Sequence, residues 1–546
     1  MIKRWLQNIL GGTQTSTATP GEFPIPWETG RKSIYRFLAE FKTPPSQALP
    51  EAAHTLPDEE AVNKRSGSQL RWAPGAMDGA LGHHAGGSSD ANGTELHIAL
   101  LTAAKEPSAG NIKTLYNMLV EDSALGSIDP LLRNIRSTPD VPIGQLRALA
   151  RWLATESPDR GAVKIGIALL GLLLPAEDTD TLVTLGLHEE FTLYSVVALG
   201  CTLDDSEVHA AWWSLAKRVH GWGRIHIVER LVETQDDEIR HWLLREGYKN
   251  SVMYEYLAYS CAVGGNLLGA LQSGKIDDAL LVGAGEIIEA LINGGPAEDI
   301  YFYADGAKVV PLYLQVAERA NVRDPKALIA VARIQSFVTD DDADWERLAE
   351  LGWTEEVRAE LVAACERFIA LEYWPRVVED SWSSADDQNF WIAARAGEIL
   401  GLEVWAKRFE RQRLKLSEQW YFLMRTDDPA RIQSVIDLLM DQFDLATTAT
   451  GPAEEMGLGP GNENHSALGA VLQDLGRFPG MGFPLIQAGL RSPVIRNRNL
   501  AARALKSWGV SNWPSGTREM LQQALDAEPN SDTRALLAET SEVCDQ

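Results

Sequence analysis

LDDSEVHAAWWSLAKRVHGWGRIHIVERLVETQDDEIRHWLLREGYKNSVMYEYLAYSCAV, residues 203–263, states one pattern twice: acidic cap, amphipathic helix, glycine stop, second helix. Asp204 and Asp205 precede Val208, Ala211, Trp212, Leu215 and Val219, an i, i+3/i+4, i+7 series that predicts one apolar helical face. An aspartate there accepts the N–H groups that the first turn leaves without partners. Gly221-Trp222-Gly223 interrupts, and a helix restarts over 224–232 with Ile225, Val228, Leu231 and Val232 on one stripe. Asp236 and Asp237 cap a third helix carrying Ile239, Trp242 and Leu243. Gly247 stops it, and Val252, Tyr256 and Cys261 mark a fourth. A hairpin of roughly 30 residues buries its stripe only by stacking on others, so the stretch predicts an all-α solenoid of stacked helical hairpins.

Two segments carry a family likeness. Pro493-Val494-Ile495-Arg496 with Ala501, Ala502, Ala504 and Leu505, and Asp237-Glu238-Ile239-Arg240 with Leu243 and Leu244, resemble the second helix of HEAT and armadillo repeats. There an aspartate or proline precedes a valine-arginine pair and then alanine and leucine at helical spacing. Asp205-Ser206-Glu207-Val208 has His209 where that arginine stands. The likeness implies stacked helices and names no ligand. A second one, over Gly247 to Ala258 with Trp222-Gly223-Arg224 and Ile227 to Leu231, resembles segments of bacterial proteins named limonene hydroxylase. It implies NADH-dependent oxidation of a terpene. No haem-thiolate cysteine motif, flavin fingerprint or iron facial triad accompanies it, so no cofactor is expected and the hydroxylase reading stands second.

With 546 residues, 45% hydrophobic content and 17 Trp, the chain can bury a large core. A formal net charge of −26 argues against a phosphate-backbone partner, which needs a basic stripe, and is compatible with a basic one. Cys201, Cys261, Cys365 and Cys544 form no C-x-x-C, which points to reduced thiols in a cytoplasm. The longest apolar run, 165–174, is shorter than the ~20 helical residues a bilayer requires and reads as a buried helix. Residues 1–10 lack the uninterrupted apolar stretch of a secretion signal.

In order, residues 1–94 read as a tail and loop-rich segment with one short helix around Ile34, Phe37, Leu38 and Phe41. A helical-repeat array is expected over 95–446, a Gly/Pro-rich linker over 447–464, and a C-terminal HEAT-like block of about five helices over 465–546. Within the loop-rich part, Arg71-Trp72-Ala73-Pro74-Gly75 to His83-His84 predicts an ordered lid or ligand segment: Trp72 and Met77 as buried anchors, glycines for close packing, Asp78, His83 and His84 as the side chains capable of metal ligation. Adjacent histidines in an extended segment point apart, so packing is preferred over a metal site, and Trp72→Ala is expected to cost ~3 kcal/mol. The whole 30–95 segment should lie along the solenoid groove or against one end of it.

The chemistry that remains is sparse. Gly283-Ala284-Gly285 follows an apolar run as a dinucleotide turn does, but Ile288 replaces the third small residue and the flanks are helical. Glu238 and His241 form a single i, i+3 pair where di-iron bundles use two. Asp340-Asp341-Asp342 and Asp344 lack the spacing and glycine of a calcium loop and read as caps on a solvated face. No catalytic residue and no metal ligand is therefore assigned. The expected function is binding of a protein or peptide partner in the solenoid groove, as a scaffold or adaptor, with Trp222, Arg224, Tyr248, Asn250 and Glu255 as contacts at turns and helix starts.

Overall fold

The computed structural model describes residues 23–41, 43–44, 47–66, 72–84, 90–121, 124–173 and 176–542. The fold is all-α. Among the described residues the extended pairing is limited to an isolated parallel bridge between Glu455 and Val494. The chain divides into two compact units, residues 1–368 and 369–546.

In the first unit helices pack mainly on those one or two places along the chain, as stacked hairpins do. Ile143–Glu156 lies on Arg160–Leu173, which lies on Glu189–Thr202, which lies on Trp222–Val228. Arg160–Leu173 carries the long apolar run and is buried on nearly every side. The quoted stretch forms as its caps predict. Asp204 accepts from the Glu207 N–H at 3.0 Å and starts Asp205–Ala216, and Asp236 accepts from the Glu238 N–H at 2.8 Å and starts Asp237–Trp242. Val208, Leu215, Val219, Ile225, Val228, Leu231, Ile239, Leu243, Tyr256 and Cys261 are all buried. Val252 is exposed, in a turn ahead of Ala258–Gly264. Asp344 caps Trp345–Glu350, so part of that aspartate run serves a helix start.

The Gly283-Ala284-Gly285 segment is the middle of the Asp278–Asn293 helix. A side chain on Gly283 would collide with the Leu244 carbonyl, and one on Gly285 with the Tyr313 hydroxyl. The glycines exist for helix–helix approach. Gly283→Ala should accordingly lower stability by about 1–3 kcal/mol through overpacking, read as a shift of the urea midpoint; an unchanged midpoint would show that the two helices part without cost.

Two expectations about organisation are corrected. Residues 43–90 do not stay loop: Glu59–Ser66 and Ala76–His84 are helices, and Asp90–Lys105 begins before residue 95. The inner face of Ala76–His84 is alanine, glycine and aspartate, which leaves no hydrophobic periodicity to read, whereas Asp90–Lys105 buries Leu96, Leu100 and Leu101. Residues 447–464 are not a boundary between units. The Gly451 N–H donates to the Arg491 carbonyl at 2.9 Å and the Ile495 N–H to the Glu455 carbonyl at 3.1 Å, which binds the stretch to the second unit.

The second unit ends in five helices, Glu463–Leu475, Phe483–Leu490, Ile495–Trp508, Thr517–Ala527 and Ser531–Glu542. Leu472, Leu485, Ala501, Leu505 and Leu521 share its core. Through that core runs a charge pair: Arg498 Nε and Nη2 each donate to Glu528 at 2.7 Å, and both side chains are wholly buried.

Candidate functional site

The expected contact residues fold inward. Trp222 is buried, with its ring 5.0 Å from that of Tyr256 and its face covered by Gly79 of the Ala76–His84 helix. Arg224 is buried and donates to the Ala216 and Lys249 carbonyls at 3.0 and 2.7 Å. Tyr248 is buried and donates to Glu286, which also pairs with Lys326 at 2.9 Å. Asn250 closes its own turn by accepting from the Val252 and Met253 N–H groups at 2.9 and 2.8 Å. Glu255 accepts from Asn293 at 3.2 Å. For Trp222, Arg224 and Tyr248 the expected surface position is corrected: the Gly-Trp-Gly turn is folded into the body because Glu189 takes the N–H groups of His220, Gly221 and Gly223 at 2.6–3.1 Å.

The 72–84 segment packs, but not by its predicted anchors. Trp72 is 58% exposed and Met77 49%. The docking is made by Gly75 and Gly79, which have no side chain to hold Trp222 and Glu189 off, and by Asp78. Asp78 accepts from Lys164 Nζ at 2.6 Å and from the Tyr194 hydroxyl at 2.8 Å, so a charge pair occupies the carboxylate considered for a metal. Arg71 and the side chains of His83 and His84 lie outside the described residues. Among the described residues no three His, Cys, Asp or Glu side chains are grouped to hold a metal ion. Trp72→Ala should therefore change thermal stability by less than about 0.5 kcal/mol, in place of the cost expected for a buried indole; a large drop in a melting curve would contradict that exposure.

Lys164 also holds Glu190 at 2.6 Å, and Glu190 accepts from the Gly75 N–H at 3.1 Å. Burial pushes the Glu190 carboxyl up, but Lys164 and Arg160 outweigh it and hold the group down at about 2. Upstream, Arg160 grips Asp58 and Glu59 at 3.0 and 2.6 Å, and Arg31 makes a two-pronged pair with Asp159 at 2.8 Å. The early chain is thus strapped to one row of helix starts by ion pairs.

A different place in the first unit is open. A cavity of about 1130 Å³ lies among Asp205–Ala216, the 229–236 segment and Ala258–Gly264. Trp212, Trp213 and Tyr259 line it together with Asp205, Glu229, Glu233, Asp236 and Glu298. Arg230 and His209 also line it. None of the five expected contact residues does. The available signal was the spacing of Glu229, Glu233 and Asp236, four and three apart, which reads equally as a solvated helix face.

Glu229 is the perturbed group here: burial, with Glu298 adding to it against Arg230, raises its carboxyl to about 7. A carboxyl raised on folding favours the native state while protonated, and that advantage is lost as pH rises from the ordinary carboxylate range through 7. Glu229→Gln should therefore raise the melting temperature at pH 8 more than at pH 5; equal shifts at both values would remove the perturbation.

Compared with known proteins, this chain has no match. No family model fits it, and neither a curated protein nor a solved structure matches it. Among the described residues no helix is long and apolar enough to cross a membrane.

Proposed function

We propose that this protein is a non-catalytic helical-repeat protein, a scaffold or adaptor of the HEAT/armadillo kind, that binds another polypeptide in the groove between its 205–216 and 258–264 helices. The observation that carries the reading is the groove itself. At about 1130 Å³ it exceeds the roughly 300–1,000 Å³ typical of a small-molecule site, and its indoles and phenol are the side chains enriched at protein interfaces. The expected cytoplasmic location is supported by Cys201, Cys261 and Cys365 all being free thiols.

A photo-crosslinking residue at Ser206, which lines the groove and is exposed, tests it against the same residue at exposed Glu360. Polypeptide adducts at Ser206 should exceed those at Glu360 and fall when Trp213→Ala is added. Equal labelling at both positions would sink the proposal.

The second reading, terpene oxidation, has one observation in its favour. A cavity of about 260 Å³ is lined by Leu125, Ile128, Leu132, Leu172 and Val197 and suits an apolar molecule. NADH consumption on adding limonene, with a flavin, haem or iron spectrum in the purified protein, would shift preference to it.

A further inference from the structure

Resting on that groove reading, we propose that the segment it selects is cationic, with lysine or arginine side chains entering between the acids and the aromatic rings. Five carboxylates and one guanidinium line the cavity. Helix starts account for part of that excess. Asp236 serves the 237–242 helix, Asp205 opens its own and Glu229 opens the short 3-10 turn Glu229–Leu231, but Glu233 and Glu298 start no helix. The chain already uses one of these rings for a cation, since Lys217 Nζ lies 3.7 Å from the centre of the Trp213 ring. An acidic partner would add to the repulsion that Glu298 exerts on Glu229. A neutral one would leave it uncompensated.

The groups around Glu229 fix how binding responds to pH. Asp205 and His209 line the groove from one helix, Arg230 and Glu233 from its own segment, Asp236 from the next cap, Tyr259 from the 258–264 helix, and Glu298 from the loop beyond. Because Glu229 titrates near neutrality, a cation that prefers its ionised form should bind more tightly at pH 8 than at pH 6.

The test uses the full chain and three fluorescent twelve-residue peptides, alternating leucine with lysine, glutamine or glutamate, read by anisotropy. The lysine peptide should bind at least tenfold tighter than the others. Glu229→Gln/Glu233→Gln/Glu298→Gln should abolish that preference while the circular dichroism spectrum is unchanged. If the lysine peptide binds the triple variant as well as it binds the native chain, attraction lies elsewhere on an acidic surface and the inference is wrong. If the glutamine peptide binds equally well, and Trp213→Ala weakens it, the groove takes polypeptides without regard to charge: the inference falls and the reading beneath it stands. If no peptide binds and Ser206 gives no adducts, both fall.

Discussion

Arg498→Met should destabilise the second unit by about 3–5 kcal/mol, because it leaves Glu528 charged, wholly buried and without its counter-ion. The guanidinium also donates to the Ser492 and Pro493 carbonyls at 2.8 and 3.0 Å, so the turn ahead of the Ile495–Trp508 helix loses its fastening at the same time. Hydrogen exchange measured by mass spectrometry should show the helices Ile495–Trp508 and Thr517–Ala527 losing protection together. Removing both partners with Arg498→Met/Glu528→Leu should restore most of the loss, since an apolar pair of similar volume avoids burying any charge. Protection in the single variant equal to the native protein would show that water or rearrangement reaches Glu528, and the pair would then not be structural.

The second large effect is expected at Lys164. Its ammonium is buried, and its positive charge is held by Asp78 and Glu190, whose attraction offsets the cost of burial. Lys164→Met leaves two carboxylates facing one another in the interior, at a cost of about 3–5 kcal/mol. The loss should appear first as faster exchange in the Ala76–His84 helix, which Asp78 and the Gly75 N–H tie to this point. The native protein carries the matching pH dependence. Glu190 is held at about 2, below its unfolded value, so its contribution is full above the ordinary carboxylate range and is lost as pH falls from there toward 2. Between pH 4.5 and 2 the Ala76–His84 helix should come loose before the Arg160–Leu173 helix it docks on. Simultaneous loss of both would mean that the docking is not held by these charges.

Asp205–Ala216 and Asp237–Trp242 could be read in the sequence from the aspartate ahead of each, and Phe483–Leu490 and Ile495–Trp508 from the proline at or just before the start, each with a 3.6-residue apolar beat. The Ile34–Ala39 helix was legible from Ile34 and Leu38, but the docking of residues 58–84 was not. That docking rests on glycines and on single charges whose partners lie far along the sequence, as Asp78 with Lys164 and Asp58 with Arg160, and no local pattern reports such pairs. Trp222 shows the same limit at the site. A tryptophan between two glycines reads as an exposed turn, and what buries it is Gly79, contributed by a segment with no apolar periodicity of its own. The groove was missed for the opposite reason. Trp212 counts as a core position by spacing, yet it is half-buried, and Trp213 beside it lines the groove.

The strap also sets an order of events in synthesis. Arg31 finds Asp159 across 128 residues, and Asp78 finds Lys164 across 86. At roughly 5–20 residues per second of translation, Arg31 waits on the order of ten seconds for its partner to be made. During that interval Ile34, Leu38, Leu49 and Leu56, all buried in the folded protein, emerge before the helices that Ile34–Ala39 packs on have been made. The early chain therefore presents apolar side chains to chaperones or wrong partners while the row of helix starts it needs is still unmade, and the long-range ion pairs close only afterwards.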